Sequence, residues 1–299
     1  MFQKIIFIFL FLIIGVFSLH AEPKRFLYQG DGSISLQMAK SGKKISVQFR
    51  NPDGSFNSAG LKVINSFIGI PGNFGEPYSL RLLSFVDFLQ DHFSPKKTLM
   101  VYSGFRSQGY NNAIRAKGAT AGKTSYHIEG MAIDVMFPGV SSQKVWEYVK
   151  NLNYGGVGIY GGGEVHLDSG KPRFWTKATA LPTENEDPQN RNIYLSPEYD
   201  FYQEGETMRL FFSAISNYPF GIESDWEVVD EKGKILDKVT MSDQKCVVIN
   251  QRSETRSFKL EIPQNLPQNK NLFIRVNFCK PTYKKMPESV LSRVFVIEK

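Results

Sequence analysis

Two short segments of this 299-residue chain hold the residue types that do hydrolytic chemistry. The first, residues 125–134 (SYHIEGMAID), contains His127 and Asp134. The second, residues 155–168 (GGVGIYGGGEVHLD), contains Glu164, His166 and Asp168. Of the other two histidines, His20 falls in the apolar leader and His92 ends a helical pattern with no ligand-type companion. On an unbroken strand His127 and Asp134 would lie about 23 Å apart on opposite faces. They can meet only if the chain turns between them, and Gly130 is the residue that permits it. In the second segment a period of two puts Glu164, His166 and Asp168 on one face and Val165 and Leu167 on the other. Three protein ligands from His and Asp, with a fourth position left for water, are what a catalytic zinc site needs, and His127, Asp134 and His166 supply such a set. A zinc-activated water needs a proton acceptor, and Glu164 and Asp168 are the available bases. Either carboxylate would serve equally well to orient the His166 ring.

These residues need elements to position them. Apolar spacing predicts a core-facing helix over 79–92, a strand over 98–103, a helix over 108–117 stopped by Gly118, and a helix from an N-cap at Ser141 to Leu152. The glycines at 161–163, between two strand-like pieces, predict a tight hairpin. Arg106 follows the predicted strand in SGFRS, where it would reach a peptide carboxylate or an oxyanion, or stand on the surface. Beyond Asn192 short alternating runs recur: 208–215, 226–229, 235–241, 246–249, 258–262, 272–279 and 293–297, with a hairpin turn at 231–234. That spacing suggests an immunoglobulin-like β-sandwich over 192–299. Residues 177–191, polar and without apolar periodicity, read as a linker or a long surface loop. Cys246 and Cys279, late in the chain, either pair or remain separate buried thiols.

At SGFRS (103–107), SYHIEGMAID (125–134), GGVGIY (155–160) and VHLDSGKPRFW (165–175) the chain resembles the MepK/YcbK-like branch of the M15 metallopeptidases. The resemblance covers roughly residues 26–176 and carries the pattern SxHxxGxAxD with a later HxD. It implies an α+β domain with a central antiparallel sheet, with His127, Asp134 and His166 as ligands of Zn2+. It also implies that Arg106 binds substrate or steadies the transition state, and that Ser125 supports the site. Tyr160, closing GGVGIY, joins Arg106 and Ser125 as a candidate substrate-binding residue. The implied reaction is hydrolysis of peptide bonds in peptidoglycan, as an endopeptidase or carboxypeptidase. The chain departs from some relatives, which carry a catalytic Glu three residues before the last His, where Gly163 stands here. Asp168 matches the HxD and is slightly preferred over Glu164 as base. The competing reading is a wall-binding protein that kept the fold without turnover.

The leader sets the compartment. Lys4 precedes an apolar run from Ile5 to Leu19, the layout of a signal peptide over residues 1–21, with an uncleaved anchor as the alternative. Cleavage after Ala21 would leave a peptidase domain over 22–176, exported to the periplasm or cell envelope, with no stable membrane span. Net charge is +7, and the 36 basic residues are scattered, without a basic helix or nucleic-acid motif. That suits an anionic wall and argues against nucleic acid as a partner. The C-terminal region is a candidate contact for an envelope protein.

Overall fold

A computed structural model of the chain describes residues 24–75, 77–118, 121–180, 189–256, 258–279 and 283–298. The signal segment 1–21 and most of the 177–191 linker lie outside the described residues.

The N-terminal half is built on one seven-stranded sheet. In chain order its elements are β1 (Ser33–Met38), β2 (Lys44–Gln48), α1 (Ser58–Ile68), α2 (Leu80–Phe93), β3 (Leu99–Ser103), α3 (Gln108–Ala116), β4 (Ala132–Met136), α4 (Ser142–Leu152), β5 (Gly156–Ile159), β6 (Val165–Asp168) and β7 (Arg173–Thr176). The order across the sheet is β2-β1-β3-β4-β6-β5-β7. The expected helices at 79–92, 108–117 and 141–152 are α2, α3 and α4, each N-capped by a serine: Ser79, Ser107 and Ser141. The expected antiparallel sheet is instead mixed, because β1 pairs β3 in parallel and β5 pairs β7 in parallel. Two helices carry the chain from β2 back over the sheet so that β3 runs beside β1 in the same direction, a connection a hairpin cannot make. Alternation in sequence reports which face a residue occupies but not the direction of the neighbouring strand.

α2 is buried on most of its surface, and its Leu82, Leu83, Phe85, Val86 and Leu89 fill the core against Leu36, Leu99, Val135 and Leu167 of the sheet. The same helix buries Asp87 completely, with Gly32 N–H donating to its Oδ2 at 3.0 Å and Arg50 at 3.6 Å. Burial, opposed by the Gly32 hydrogen bond and aided by the nearby Asp91 and Asp31, pushes Asp87 up to about 7. An unfolded Asp titrates near 3.9, so the folded state favours the protonated form. This stability is fully present below pH ~4 and is lost as pH rises through about 7. Asp87→Asn is therefore expected to gain stability relative to wild type between pH 5 and pH 8, by on the order of 1–3 kcal/mol. Melting curves at the two values check it, and a difference that does not change with pH would refute the assignment.

The C-terminal half is all β: β8 (Tyr194–Pro197), β9 (Phe201–Tyr202), β10 (Thr207–Ser213), β11 (Phe220–Glu223), β12 (Asp225–Asp230), β13 (Ile235–Thr240), β14 (Cys246–Ile249), β15 (Phe258–Glu261), β16 (Leu272–Asn277), β17 (Ser289–Leu291) and β18 (Val296–Ile297). They form three- and four-stranded antiparallel sheets, β15-β10-β8 and β13-β12-β16-β17, with the pairs β11-β14 and β18-β9. A second core, built around Trp226, Phe212, Phe220, Leu210 and Ile274, sits among them. Cys246 and Cys279 are disulfide-bonded.

The two halves are joined by buried polar contacts. Arg81 of α2 pairs with Asp200, which also accepts the Tyr154 hydroxyl proton, and Arg293 stacks 4.2 Å from the Tyr154 ring centroid. Among the described residues no helix is long and apolar enough to cross a membrane.

Candidate metal centre

The site is a row across the sheet. Register places Ser103 of β3 beside Asp134 of β4, Asp134 beside His166 of β6, His166 beside Gly158 of β5, and Gly158 beside Trp175 of β7. Side chains in one row share a face, so the fold delivers Asp134 and His166 side by side. His127 arrives from outside the sheet. The chain from Ser125 to Gly130 coils into a turn, with Gly130 N–H donating to His127 O at 3.3 Å and Gly130 at φ +65°, a left-handed conformation that favours glycine. The turn expected at Gly130 is thus where the chain makes it.

Three donor atoms converge. His166 Nδ1 lies 2.9 Å from Asp134 Oδ1 and 3.2 Å from His127 Nε2, and His127 Nε2 lies 3.3 Å from Asp134 Oδ1. Each ring has its remaining nitrogen fixed from behind. His127 Nδ1–H donates to Gly104 O at 2.7 Å, and His166 Nε2–H donates to Asp168 Oδ2 at 3.0 Å. With those protons in place, both rings turn a bare lone pair toward a carboxylate oxygen. Three lone pairs facing one another are stable only around a cation, and the two-imidazole, one-carboxylate set suits a divalent metal such as zinc. The spacings also approach the roughly 3.3 Å edge of a tetrahedron with ~2.0 Å arms. The three residues therefore fit a metal ion.

Burial holds His127 below its ordinary value, although Asp134 pulls the other way. His166 is also penalised by burial, but its bonds to Asp134 and Asp168 outweigh that and raise it. Burial would raise Asp134, yet the two imidazoles hold it well below the carboxylate range.

Asp168, expected as the preferred base, stands on the wrong side of His166 for that task. Its side chain is fully buried, its Oδ1 accepts from Gly170 N–H at 2.9 Å and Arg173 at 3.0 Å, and its Oδ2 is shared by His166 and Arg173. Burial would raise its pKa, but the Arg173 guanidinium and the His166 ring hold it far below the usual carboxylate range. A carboxylate so occupied orients a ring and accepts no further proton. Glu164, half-buried just before β6, has no hydrogen-bond or ion-pair partner among the described residues, and its carboxylate folds over Gly162.

Arg106 is bound to the ligand set itself. Its Nη2 donates to Asp134 Oδ2 at 2.7 Å, its Nε to Ser103 Oγ at 2.9 Å, and its backbone N–H to His127 O at 3.1 Å. Ser125 Oγ accepts from His127 N–H at 3.4 Å, which shapes the turn. The Tyr160 hydroxyl accepts from Trp175 Nε1–H at 2.8 Å, beside the His166 ring.

Arg173, Trp175, Gly156 and Gly158 lie within the segments that carry the resemblance, but the sequence alone gives them no individual role. Trp175 packs 5.1 Å from the His166 ring centroid, and it does so across Gly158. A Cβ at Gly158 would overlap the indole, and one at Gly156 would overlap the Asp168 carboxylate and crowd Arg173. β7 side chains thus reach β6 over the one face of β5 that bears only glycines, with Val157 and Ile159 on the other. β7 is held there by Trp146 Nε1–H donating to Trp175 O at 2.9 Å. The available signal was the alternation in RFWT (173–176), which puts Arg173 and Trp175 on one face. Gly158→Ala is expected to lower stability by ~1–3 kcal/mol through overpacking and to move the indole off His166. Thermal melting with tryptophan fluorescence checks it, and an unchanged melt and spectrum would contradict the stacking.

Residues 29–175 match the family described as Peptidoglycan L,D-endopeptidase MepK. Peptidoglycan L,D-endopeptidase MepK of Escherichia coli strain K12 is 27% identical over 143 residues, spanning 48% of this chain and 79% of that protein. The protein of the same name from Shigella flexneri gives the same figures. The Haemophilus influenzae protein named "Probable peptidoglycan L,D-endopeptidase MepK" is 40% identical over 76 residues, 25% of this chain and 41% of that protein. No solved structure matches the chain. The family match ends before the C-terminal β region begins.

Proposed function

We propose that residues 29–175, which match the MepK family, are an M15-type peptidase domain, and that the chain is an exported zinc hydrolase cutting peptide bonds in peptidoglycan, with His127, Asp134 and His166 as its ligands. The observation that carries the proposal is the convergence of three lone-pair donors, the two imidazoles among them each having its other nitrogen fixed by an acceptor. Zinc bound there would supply Lewis acidity, bringing a water's pKa to near 7 and polarising the scissile carbonyl. The remaining roles belong to side chains. Asp168 holds the His166 tautomer, and Arg173 keeps Asp168 ionised. Arg106 occupies Asp134 Oδ2 and so leaves Oδ1 for the metal. Glu164, two residues before His166 in the chain and with no bonded partner among the described residues, is the carboxylate left to take the proton of an attacking water and return it to the leaving amine. Arg106, Ser125 and Tyr160 frame the space where substrate lies, and their own bonds make them positioning groups as much as contacts.

The relatives' printed names favour an L,D-bond over a D,D-bond and an endopeptidase over a carboxypeptidase. The division into a signal peptide (1–21), a peptidase domain (22–176), a linker (177–191) and an immunoglobulin-like sandwich (192–299) belongs to the same proposal, as does a periplasmic or envelope location. Digestion of purified sacculi with and without chelator, followed by mass spectrometry of the fragments, tests it. Chelator-sensitive release of peptides cut at one bond type supports the reading. The alternative, a peptidoglycan-binding protein without turnover, draws on Gly163 standing where some relatives carry a catalytic Glu. Zinc-loaded protein that binds sacculi and cuts nothing would establish that alternative.

A further inference from the structure

The turn that carries His127 is held by both halves of the molecule. Within the N-terminal half, Ser125 O accepts from Ile128 N–H, Tyr126 O from Glu129 and Met131 N–H, His127 O from Arg106 and Gly130 N–H, Gly130 O from Ser79 N–H, and Met131 O from Ser169 N–H. The carbonyls of Ile128 and Glu129 are served from elsewhere. Arg252, which opens a single 3-10 turn (Arg252–Thr255) in the C-terminal half, donates to Ile128 O, and Arg256 donates to Glu129 O at 3.1 Å. Both guanidiniums also pair with the Glu129 carboxylate, Arg252 at 2.6 Å, and both lie over the Phe74 ring at 5.8 and 4.9 Å. Phe74 in turn packs edge-on against Phe105 at 4.8 Å, next to the Gly104 carbonyl that fixes His127 Nδ1–H. The other end of the turn is held as well, because the buried Tyr126 packs with Ala214 and its hydroxyl bonds to Ser213, both in the C-terminal half.

We propose that Arg252 and Arg256 are positioning residues of the metal centre: the C-terminal β half sets the turn that aims His127 Nε2. This rests on the reading of His127 as a metal ligand. A turn of about six residues bearing a ligand loses conformational freedom only where something ties it down, and a ligand displaced slightly costs both affinity and rate. Charge-assisted bonds to two successive carbonyls and to the side chain between them are strong ties.

The test uses the full-length protein loaded with cobalt(II), whose visible absorption reports ligand geometry without any substrate. Arg252→Met/Arg256→Met is expected to keep its fold, to change the cobalt band in position or intensity, and to weaken metal binding in a competition with chelator by ~10–100-fold, as outer-shell changes do. With defined muropeptides kcat should fall by a similar factor while KM stays within about twofold. Arg256→Lys, alone, should restore part of the loss. Arg25→Met, which removes the remote Arg25–Glu206 pair between the halves, should lower the melting temperature and leave the cobalt spectrum untouched. A folded double variant with the wild-type cobalt spectrum and metal affinity overturns the proposal and leaves the arginines as fasteners. If the double variant fails to fold, Arg252→Met and Arg256→Lys are read singly by the same spectrum. If wild type binds cobalt but cuts no peptide bond, the enzymatic reading fails, while spectrum and affinity still decide this inference.

Discussion

His166→Ala is expected to abolish turnover and to leave a protein that no longer retains metal through purification. His166 makes the two shortest contacts within the donor set, through one ring nitrogen at 2.9 and 3.2 Å. Removing it leaves His127 Nε2 and Asp134 Oδ1, too few donors for a zinc site. Losses above the ~10–100-fold typical of outer partners are expected, at least a thousandfold in kcat/KM. Inductively coupled plasma analysis and a sacculus digest check the two halves of the statement. Near-normal activity in a metal-free variant would remove the metal from the mechanism altogether. The residual fold should survive, since the ring lies at the edge of the core and its strand is anchored by Val165 and Leu167, both buried on the opposite face.

The second large effect separates the two carboxylates that flank His166. Glu164→Gln should cost roughly a hundredfold or more in kcat with metal content unchanged, because a general base contributes about 10²–10⁴-fold. Asp168→Asn should act through the metal instead. The amide cannot match the ionised acceptor for the buried His166 Nε2–H, and the exposed Arg173 guanidinium loses its counter-charge. The expected signature is ~10–100-fold weaker metal binding with part of the rate restored by excess zinc. Rate loss in Asp168→Asn at full metal occupancy, with Glu164→Gln near wild type, would restore Asp168 as base.

Much of this site was legible from residue spacing. The need for a turn between His127 and Asp134 followed from their separation, and Gly130 makes that turn. The face shared by Glu164, His166 and Asp168 followed from a period of two. α2, α3 and α4 announced themselves through apolar spacing and serine caps. What periodicity could not say is which side of an imidazole faces which neighbour. The slight preference for Asp168 over Glu164 as base rests on the HxD alone, and the HxD does not reveal that Arg173 and the Gly156 and Gly170 amides engage that carboxylate. The reach of Trp175 and Arg173 across β5 was hidden for a different reason: it depends on what Gly156 and Gly158 lack, and on a parallel pairing that no local pattern encodes. The strands and helix before residue 79 also went unread, since β2 is largely wet and β1 only partly buried.

The disulfide between Cys246 and Cys279 has a practical consequence for anyone assaying this protein. It fastens together the ends of a 33-residue span, and that span contains Arg252 and Arg256. Thiol reductants, often added to keep preparations from ageing, would open the span and slacken the segment from which both guanidiniums reach Ile128 and Glu129. Samples handled in such buffers would report a looser histidine turn than the oxidised molecule has, and two laboratories could disagree on metal affinity for no reason but the choice of additive.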